Sequence, residues 1–405
     1  MNRDQISILQ LCKKFPFPLV DGETIAVNSL SRGLVENDCE ITLLAMNTSK
    51  QHVEIDKTAA GLQHYKEIYD INIDNKVRPL AAFKNLFSDD SYHVSRFVSS
   101  DYKQTLIDIL AKQSFDYILM ESMYLAPYVD AIRNHSQAKL ILRSHNVEYK
   151  IWERIVFETR DPIKRRYLNY LSKKLKKYEV SILNDFDLIA AVSAKDIEVF
   201  EREGMRSRAF HNPIGLDMRL YSESNRIEFK KPLQVGFIGS LDWQPNVNGI
   251  NWFIEQVWPL IESSGMEVEL AVAGRNPSRQ MFELADRGIQ VYGEVESAID
   301  FMSDQDLLIV PLFSGSGIRV KILEAMALSK IVITTSIGLE GINATHGHEI
   351  LIADTPEDFV KCVRSVYDKS FDRVKMMSAA RDFVESKFSF EELAKQLKNE
   401  MLKLN

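Results

Sequence analysis

Cysteine is scarce. Cys12, Cys39 and Cys362 are scattered over 405 residues. Three isolated thiols exclude a disulfide framework and a cysteine-based zinc site. They suit a reducing cytoplasm. No apolar run approaches the ~20 residues needed to span a bilayer. The start, Met1-Asn2-Arg3-Asp4-Gln5, is polar, without a secretory apolar core or cleavage site, so a cytoplasmic protein is expected. A basic excess is also missing. The net charge of −7 argues against general nucleic-acid binding but leaves room for a local basic pocket.

What is present is ordinary globular chemistry, 45% hydrophobic and 26% charged residues, over a length that suggests two or three domains. Short β-branched runs alternate with helical patterns. In the first half the strand candidates are 6–11, 40–45, 117–120, 139–143 and 188–192. In the second they are 234–239, 267–273, 290–293, 307–311, 330–335 and 349–352. Most are continuous apolar runs, as expected of parallel strands covered by helices on both faces. Helix starts are marked by Ser193 with Asp196, by Thr355-Pro356-Glu357-Asp358 and by Ser389 with Glu392. The pattern reads βαβ repeatedly and predicts doubly wound α/β domains with parallel sheets. A Pro/Gly-containing turn at His211-Asn212-Pro213-Ile214-Gly215 puts the seam between residues 1–212 and 213–388. The last helix carries an apolar stripe, Phe390, Leu393, Leu397 and Met401, that must dock, and residues 389–405 are expected to pack back on the first domain.

The most informative stretch runs from Leu307 to Ala327. It is a buried strand, a loop containing Gly315, Ser316 and Gly317, then Ile318, Arg319, Val320, Lys321 and a run of strong helix formers. A helix start presents unpaired N–H groups and partial positive charge, which suits an anion. Arg319 and Lys321 stand where the helix dipole disfavours them, as if an anion sat there too. Glu324 lies seven residues past Gly317, roughly 10 Å along a helix. It could accept from two ribose hydroxyls, or simply face solvent. The dinucleotide fingerprint is incomplete, because Val320 stands in place of its third glycine.

With the segments that accompany it, this stretch resembles the donor site of family 4 glycosyltransferases. Phe237-Ile238-Gly239-Ser240-Leu241-Asp242-Trp243-Gln244-Pro245-Asn246 is similar, as are Gly274-Arg275-Asn276-Pro277, Gly293-Glu294-Val295 and Gly338-Leu339-Glu340-Gly341. Phe15 to Gly22 looks like the first acceptor-side loop, and Ser144-His145-Asn146-Val147-Glu148 like the histidine-bearing loop. The resemblance implies a GT-B architecture, two Rossmann-like domains facing a cleft, with a C-terminal domain binding a nucleotide sugar, UDP- or GDP-linked. It also implies retention of configuration, no catalytic metal and no separate cofactor. Glu324 takes the place of the ribose-binding glutamate. Gly315, Gly317, Ile318, Arg319 and Lys321 fall in the diphosphate region; Gly239, Ser240 and Arg275 join the donor site. Gly293 and Val295 would border the base, and His145 would approach the transferred sugar. Asp21 and Gly22 belong to the acceptor-side loop. Ser316 stands where the family has its first glutamate, and Ser240 where it has an arginine, so Arg319 and Lys321 are expected to replace that charge.

The resemblance implies same-face attack by the acceptor, assisted by the leaving phosphate, with no protein nucleophile needed. Two Asp-x-Asp triplets, Asp185-Phe186-Asp187 and Asp304-Gln305-Asp306, each precede a strand and read as polar corners, and His346-Gly347-His348 reads as a loop. Residues 163–178 are strongly basic, with Ile163, Tyr167, Leu171, Leu175 and Tyr178 at helical spacing. Such a helix packs on its domain or rests on anionic lipid at the inner face of the plasma membrane. The function expected is transfer of a sugar to a glycan or lipid-linked acceptor in polysaccharide biosynthesis. A nucleotide-sugar epimerase and a non-catalytic sugar-nucleotide binder remain as alternatives.

Overall fold

The structure, a computed structural model, describes residues 5–18, 22–49, 52–54, 59–76, 85, 91–222, 231–314 and 318–404. The chain divides into two compact units. Unit 1 comprises residues 1–215 and 390–405, and unit 2 comprises residues 216–389.

Unit 1 is built on seven parallel strands in the order β3-β2-β1-β4-β5-β6-β7. They are β1 (Ile6–Cys12), β2 (Cys39–Thr48), β3 (Glu67–Ile73), β4 (Tyr117–Met120), β5 (Lys139–Ser144), β6 (Leu188–Ala191) and β7 (Arg208–His211). Alternate residues supply two cores. Leu9, Leu11, Ile118 and Leu140 face one; Ile8, Ile41, Leu119 and Ile141 face the other. All eight are fully buried, each side chain contributing on the order of 2 kcal/mol. Five of these strands were expected from the sequence; β3 and β7 were not. Both lie at sheet edges and are largely half-exposed, so neither carries the continuous apolar run that marks a doubly covered strand.

Unit 2 has six parallel strands in the order β10-β9-β8-β11-β12-β13. These are β8 (Leu233–Ile238), β9 (Val268–Ala273), β10 (Gln290–Gly293), β11 (Leu307–Val310), β12 (Ile331–Thr334) and β13 (Leu351–Ile352). In each sheet the strand order reverses once, between β1 and β4 and between β8 and β11. Doubly wound folds bind ligands at the carboxyl ends of strands flanking such a switch point.

The helices that matter below are α1 (Gly22–Glu36), α2 (Glu148–Glu158), α3 (Pro162–Ile182), α4 (Gln244–Trp252), α5 (Val320–Ala327), α6 (Pro356–Tyr367), α7 (Arg373–Phe388) and α8 (Phe390–Leu402). The Thr355 side chain accepts from the Asp358 amide and caps α6, with Pro356 in its first turn. Ser193 sits at a helix start, but its side chain makes no capping bond, contrary to expectation. Helix α8 buries Phe390, Leu393, Leu397 and Met401 within unit 1. Tyr117 Oη donates to its Met401 carbonyl at 3.0 Å, and Asn212 Nδ2 to its Leu393 carbonyl at 3.1 Å.

Candidate functional site

In unit 2, most of the expected donor-site residues converge on the carboxyl ends of β8, β9, β10 and β11. Gly239 N donates to the Ala273 carbonyl at 3.0 Å, Gly274 N to the Gly293 carbonyl at 2.7 Å, and Leu241 N to the Arg275 carbonyl at 2.8 Å. These bonds hold Gly239, Ser240, Arg275 and Gly293 in neighbouring loops. The approach is close: a Cβ on Gly274 would run into the Gly239 carbonyl oxygen. Arg275 is exposed; Val295 and Ile318 are half-buried against one apolar cluster beneath the site. Ser240 Oγ donates to Asp242 Oδ1 at 2.7 Å, and Asn276 Nδ2 to Asp242 Oδ2 at 2.8 Å. Gly315, Ser316 and Gly317 lie outside the described residues.

Helix α5 starts after Arg319, which is only 5% exposed. Lys321, expected to meet an anion directly, is anchored across the switch point. Its Nζ donates to the Ile238 carbonyl at 2.7 Å and to Asn246 Oδ1 at 2.9 Å, and sits 4.8 Å from the centre of the Phe237 ring. A Cβ on Gly239 would come within 2.6 Å of that nitrogen, so only glycine leaves room for it. Burial, helped by the charge of Arg319 and opposed by Glu324, pushes the Lys321 ammonium down to about 7. Asn246 completes the arrangement by donating to the Ser240 carbonyl at 2.9 Å. Three residues after Lys321, Glu324 Oε1 accepts from Tyr221 Oη at 3.1 Å. Burial raises the Glu324 carboxyl, opposed by Tyr221 and Lys321.

Sequence reasoning missed Tyr221 altogether. It lies 103 positions from Glu324 with no local motif, and Arg381 of α7 holds its carbonyl at 2.7 Å. Asn246 was inside a recognised segment, but nothing local marked it as a lysine acceptor.

In unit 1, His145 follows β5, the strand next to β4 and so one removed from the switch point. Its Nε2 lies 3.1 Å from Glu121 Oε2. Glu121 follows β4 and is 1% exposed. It accepts from Gln10 Nε2 of β1 at 2.6 Å and faces Arg143 Nη1 at 3.8 Å. Burial alone would push this carboxyl up. Arg143, His145 and Gln10 together outweigh burial and hold it below the usual carboxylate range. Arg143 Nη1 also donates to the Ala26 carbonyl at 2.9 Å, and Tyr65 Oη donates to Gln10 Oε1 at 2.9 Å. The histidine therefore stands on a buried polar network.

The loop after His145 is fixed from its other side. Val147 provides no side-chain cap for α2. Glu179, from α3, accepts instead from the Glu148 and Tyr149 amides at 3.0 and 2.9 Å. Burial pushes Glu179 up to about 8, with the two amides opposing. Glu121, Gln10 and Glu179 were not singled out in the sequence. For Gln10 and Glu121 the available signal was a charged or amide side chain inside or directly after an apolar strand; Glu179, within a long basic helix, carried none. Gly22 opens α1 and is exposed, with open space where a Cβ would stand. Asp21 lies outside the described residues.

The aspartate triplets do structural work. Asp187 Oδ2 accepts from the Leu140 amide at 2.7 Å and Arg133 at 3.0 Å, and Asp306 Oδ2 from the Gln234 amide at 2.9 Å. His346 Nδ1 accepts from the Ile352 amide at 2.8 Å. Among the described residues, no group of three histidine, cysteine, aspartate or glutamate side chains could hold a metal ion.

Residues 232–369, most of unit 2, match the family described as Glycosyl transferases group 1. The Anabaena protein HepE, solved in complex with UDP, superposes with a TM-score of 0.65, covering 98% of this chain and 100% of that one at 14% identity. Sucrose-phosphate synthase from Thermosynechococcus elongatus superposes at 0.66, covering 99% of each chain at 14% identity. An uncharacterized 44.6 kDa protein in the cps region of Klebsiella pneumoniae is 25% identical over 283 residues, 67% of this chain and 70% of that protein. The two parallel sheets of seven and six strands with flanking helices are those of the GT-B glycosyltransferase fold.

Proposed function

We propose that this protein transfers a sugar from a nucleoside diphosphate sugar, bound by unit 2, to a glycan or lipid-linked acceptor bound by unit 1. The observation that carries the reading is the placement of Lys321 and Glu324. Both stand on α5, at the carboxyl side of the β8–β11 switch point, inside the segment that matches a glycosyltransferase family. Lys321 is the cation for the diphosphate, and Glu324 the acceptor for ribose hydroxyls. Breaking the sugar–phosphate bond puts negative charge on the leaving oxygen. In this reading Lys321, Arg319 and the N–H groups at the start of α5 stabilise that charge.

The reading includes retention of configuration through attack on the leaving-group face, and no requirement for a metal. His145, steadied by Glu121, is the group of unit 1 assigned to the reaction. HepE was solved with UDP, so uridine diphosphate sugars are the first donors to test, with GDP-linked sugars next. A cytoplasmic protein of polysaccharide biosynthesis is the setting proposed.

A thermal-shift screen of UDP, GDP, ADP and CMP with their common sugars, with and without EDTA, tests the donor site. A selective, EDTA-insensitive rise in melting temperature is expected, reduced in Glu324→Ala by roughly ten-fold in affinity, as loss of charge-assisted hydrogen bonds predicts. No shift at millimolar nucleotide would remove the reading. Tight binding without transfer to any acceptor would reduce it to nucleotide-sugar binding.

A further inference from the structure

Helices α2 and α3 form a hairpin joined by Thr159, Arg160 and Asp161. The turn is firmly built. Asp161 Oδ1 accepts from the Ile163 and Lys164 amides, both at 2.9 Å, and Thr159 Oγ1 donates to the Ile155 carbonyl at 2.7 Å. Of the two arrangements open for the apolar stripe of α3, its middle takes the packed one: Leu171 and Leu175 are buried in unit 1. A different apolar surface is displayed instead. Phe157, one residue from the end of α2, is 81% exposed, and Ile163, in the first turn of α3, is 84% exposed. The next most exposed large apolar side chain among the described residues, Leu220, is at 57%. Single exposed apolar residues are unremarkable. Here the two extreme cases flank one turn, and Ile151 and Ile155 stand exposed further back on α2.

The charge around this tip is equally uneven. Residues 150–177 hold ten lysines and arginines and three acids, a net charge of +7 in a chain whose total is −7. Arg154, Arg160, Lys164, Arg165 and Arg166 surround the apolar pair and are all exposed. Exposed aromatic and aliphatic side chains ringed by cations match the boundary of an anionic bilayer, where apolar groups enter the acyl region and cations meet headgroup phosphates.

We propose that the α2–α3 hairpin tip docks on an anionic lipid surface, inserting Phe157 and Ile163 while the surrounding cations bind phosphate headgroups. Charge complementarity selects the occupant, because an apolar protein partner would not require this ring of cations. The docking stands independently of the transferase reading, since none of these residues has a part in the proposed donor site.

Flotation of the full chain with vesicles tests it, using phosphatidylcholine alone or with one quarter phosphatidylglycerol. Binding is expected only to the anionic vesicles, weakening as salt rises. The Phe157→Ser/Ile163→Ser variant should lose at least ten-fold in partitioning. Each of Lys164→Gln, Arg165→Gln and Arg166→Gln should lose roughly five-fold, the value of one cation near an anionic surface. These side chains are exposed, so melting temperature and nucleotide affinity should stay unchanged. Equal binding to neutral and anionic vesicles, no binding to either, or full binding by the Phe157→Ser/Ile163→Ser variant would overturn the proposal. Selective retention of RNA or of a protein in place of vesicles would do so equally.

Discussion

The two switch points use the same backbone plan and opposite charge. In unit 1 the buried centre is an anion, Glu121, with Arg143, His145 and Gln10 gathered around it. In unit 2 it is a cation, Lys321, held by the Ile238 carbonyl and Asn246. The first is electrostatically satisfied within its own unit, and its carboxyl is held below the usual range. The second is not: burial pushes its ammonium down to about 7, the charge of Arg319 adds to the push, and Glu324 opposes it only in part. A satisfied charge holds neighbouring side chains in place. A frustrated one gains when a ligand of opposite sign arrives. The contrast supports the proposal of a positioning role for the cluster in unit 1 and an anion-binding role for that in unit 2.

The largest effect that separates them concerns stability. Glu121→Gln leaves Arg143 buried without its counter-charge and should cost about 3–5 kcal/mol, read by urea unfolding at pH 7. The sign of its pH dependence follows from the depressed carboxyl. The stabilisation is complete above the ordinary glutamate value of 4.5 and is lost as pH falls through the lower folded value. The gap between wild type and variant should therefore close in acid; a gap that persists there would remove the ionic explanation.

His145→Ala should lower kcat by on the order of 100-fold, the scale on which misplacing a reacting group acts. Calorimetry should find nucleotide affinity unchanged in that variant. A parallel loss of affinity would erase the division of roles. Lys321→Gln should do the reverse, weakening UDP-sugar binding by roughly 50-fold, about 2.3 kcal/mol, through loss of a charged donor. A diphosphate favours the ammonium, so wild-type binding takes up a proton above pH 7 and weakens as pH rises further. The variant should show a flat profile between pH 7 and 9. Wild-type donor affinity retained in Lys321→Ala would end the assignment of that residue to the diphosphate.

The smallest effect is expected at Tyr221→Phe. Removing one hydrogen bond to Glu324 should reduce nucleotide affinity about three-fold, within the ~1 kcal/mol of a typical intramolecular hydrogen bond. A ten-fold or greater loss would mean that the phenol itself touches the ligand.

Both units announce their architecture in local pattern. Runs such as Leu307 to Val310, apolar on both faces, are stable only in a sheet covered on both sides. The edges β3 and β7 lack that run, because an edge strand keeps one side toward water and its polar residues with it. The placement of Glu324 on a helix after a glycine-containing loop was legible for the same reason, since a contiguous segment folds on itself. The hairpin tip was not legible: helical spacing identifies an apolar stripe, but not whether the protein already covers it. Leu171 and Leu175 are covered, while Phe157, on the preceding helix, is not.

By itself, then, the sequence determined the α/β class, the parallel strands and the segments that flank each switch point, because these follow from short-range periodicity and turn chemistry. Tertiary structure alone decided which side chains meet: Tyr221 with Glu324, Glu121 with His145, and Glu179 with the amides of α2. Those pairs lie 103, 24 and 31 positions apart. Their energies depend on burial and on neighbours brought in by other strands, and no local pattern records either.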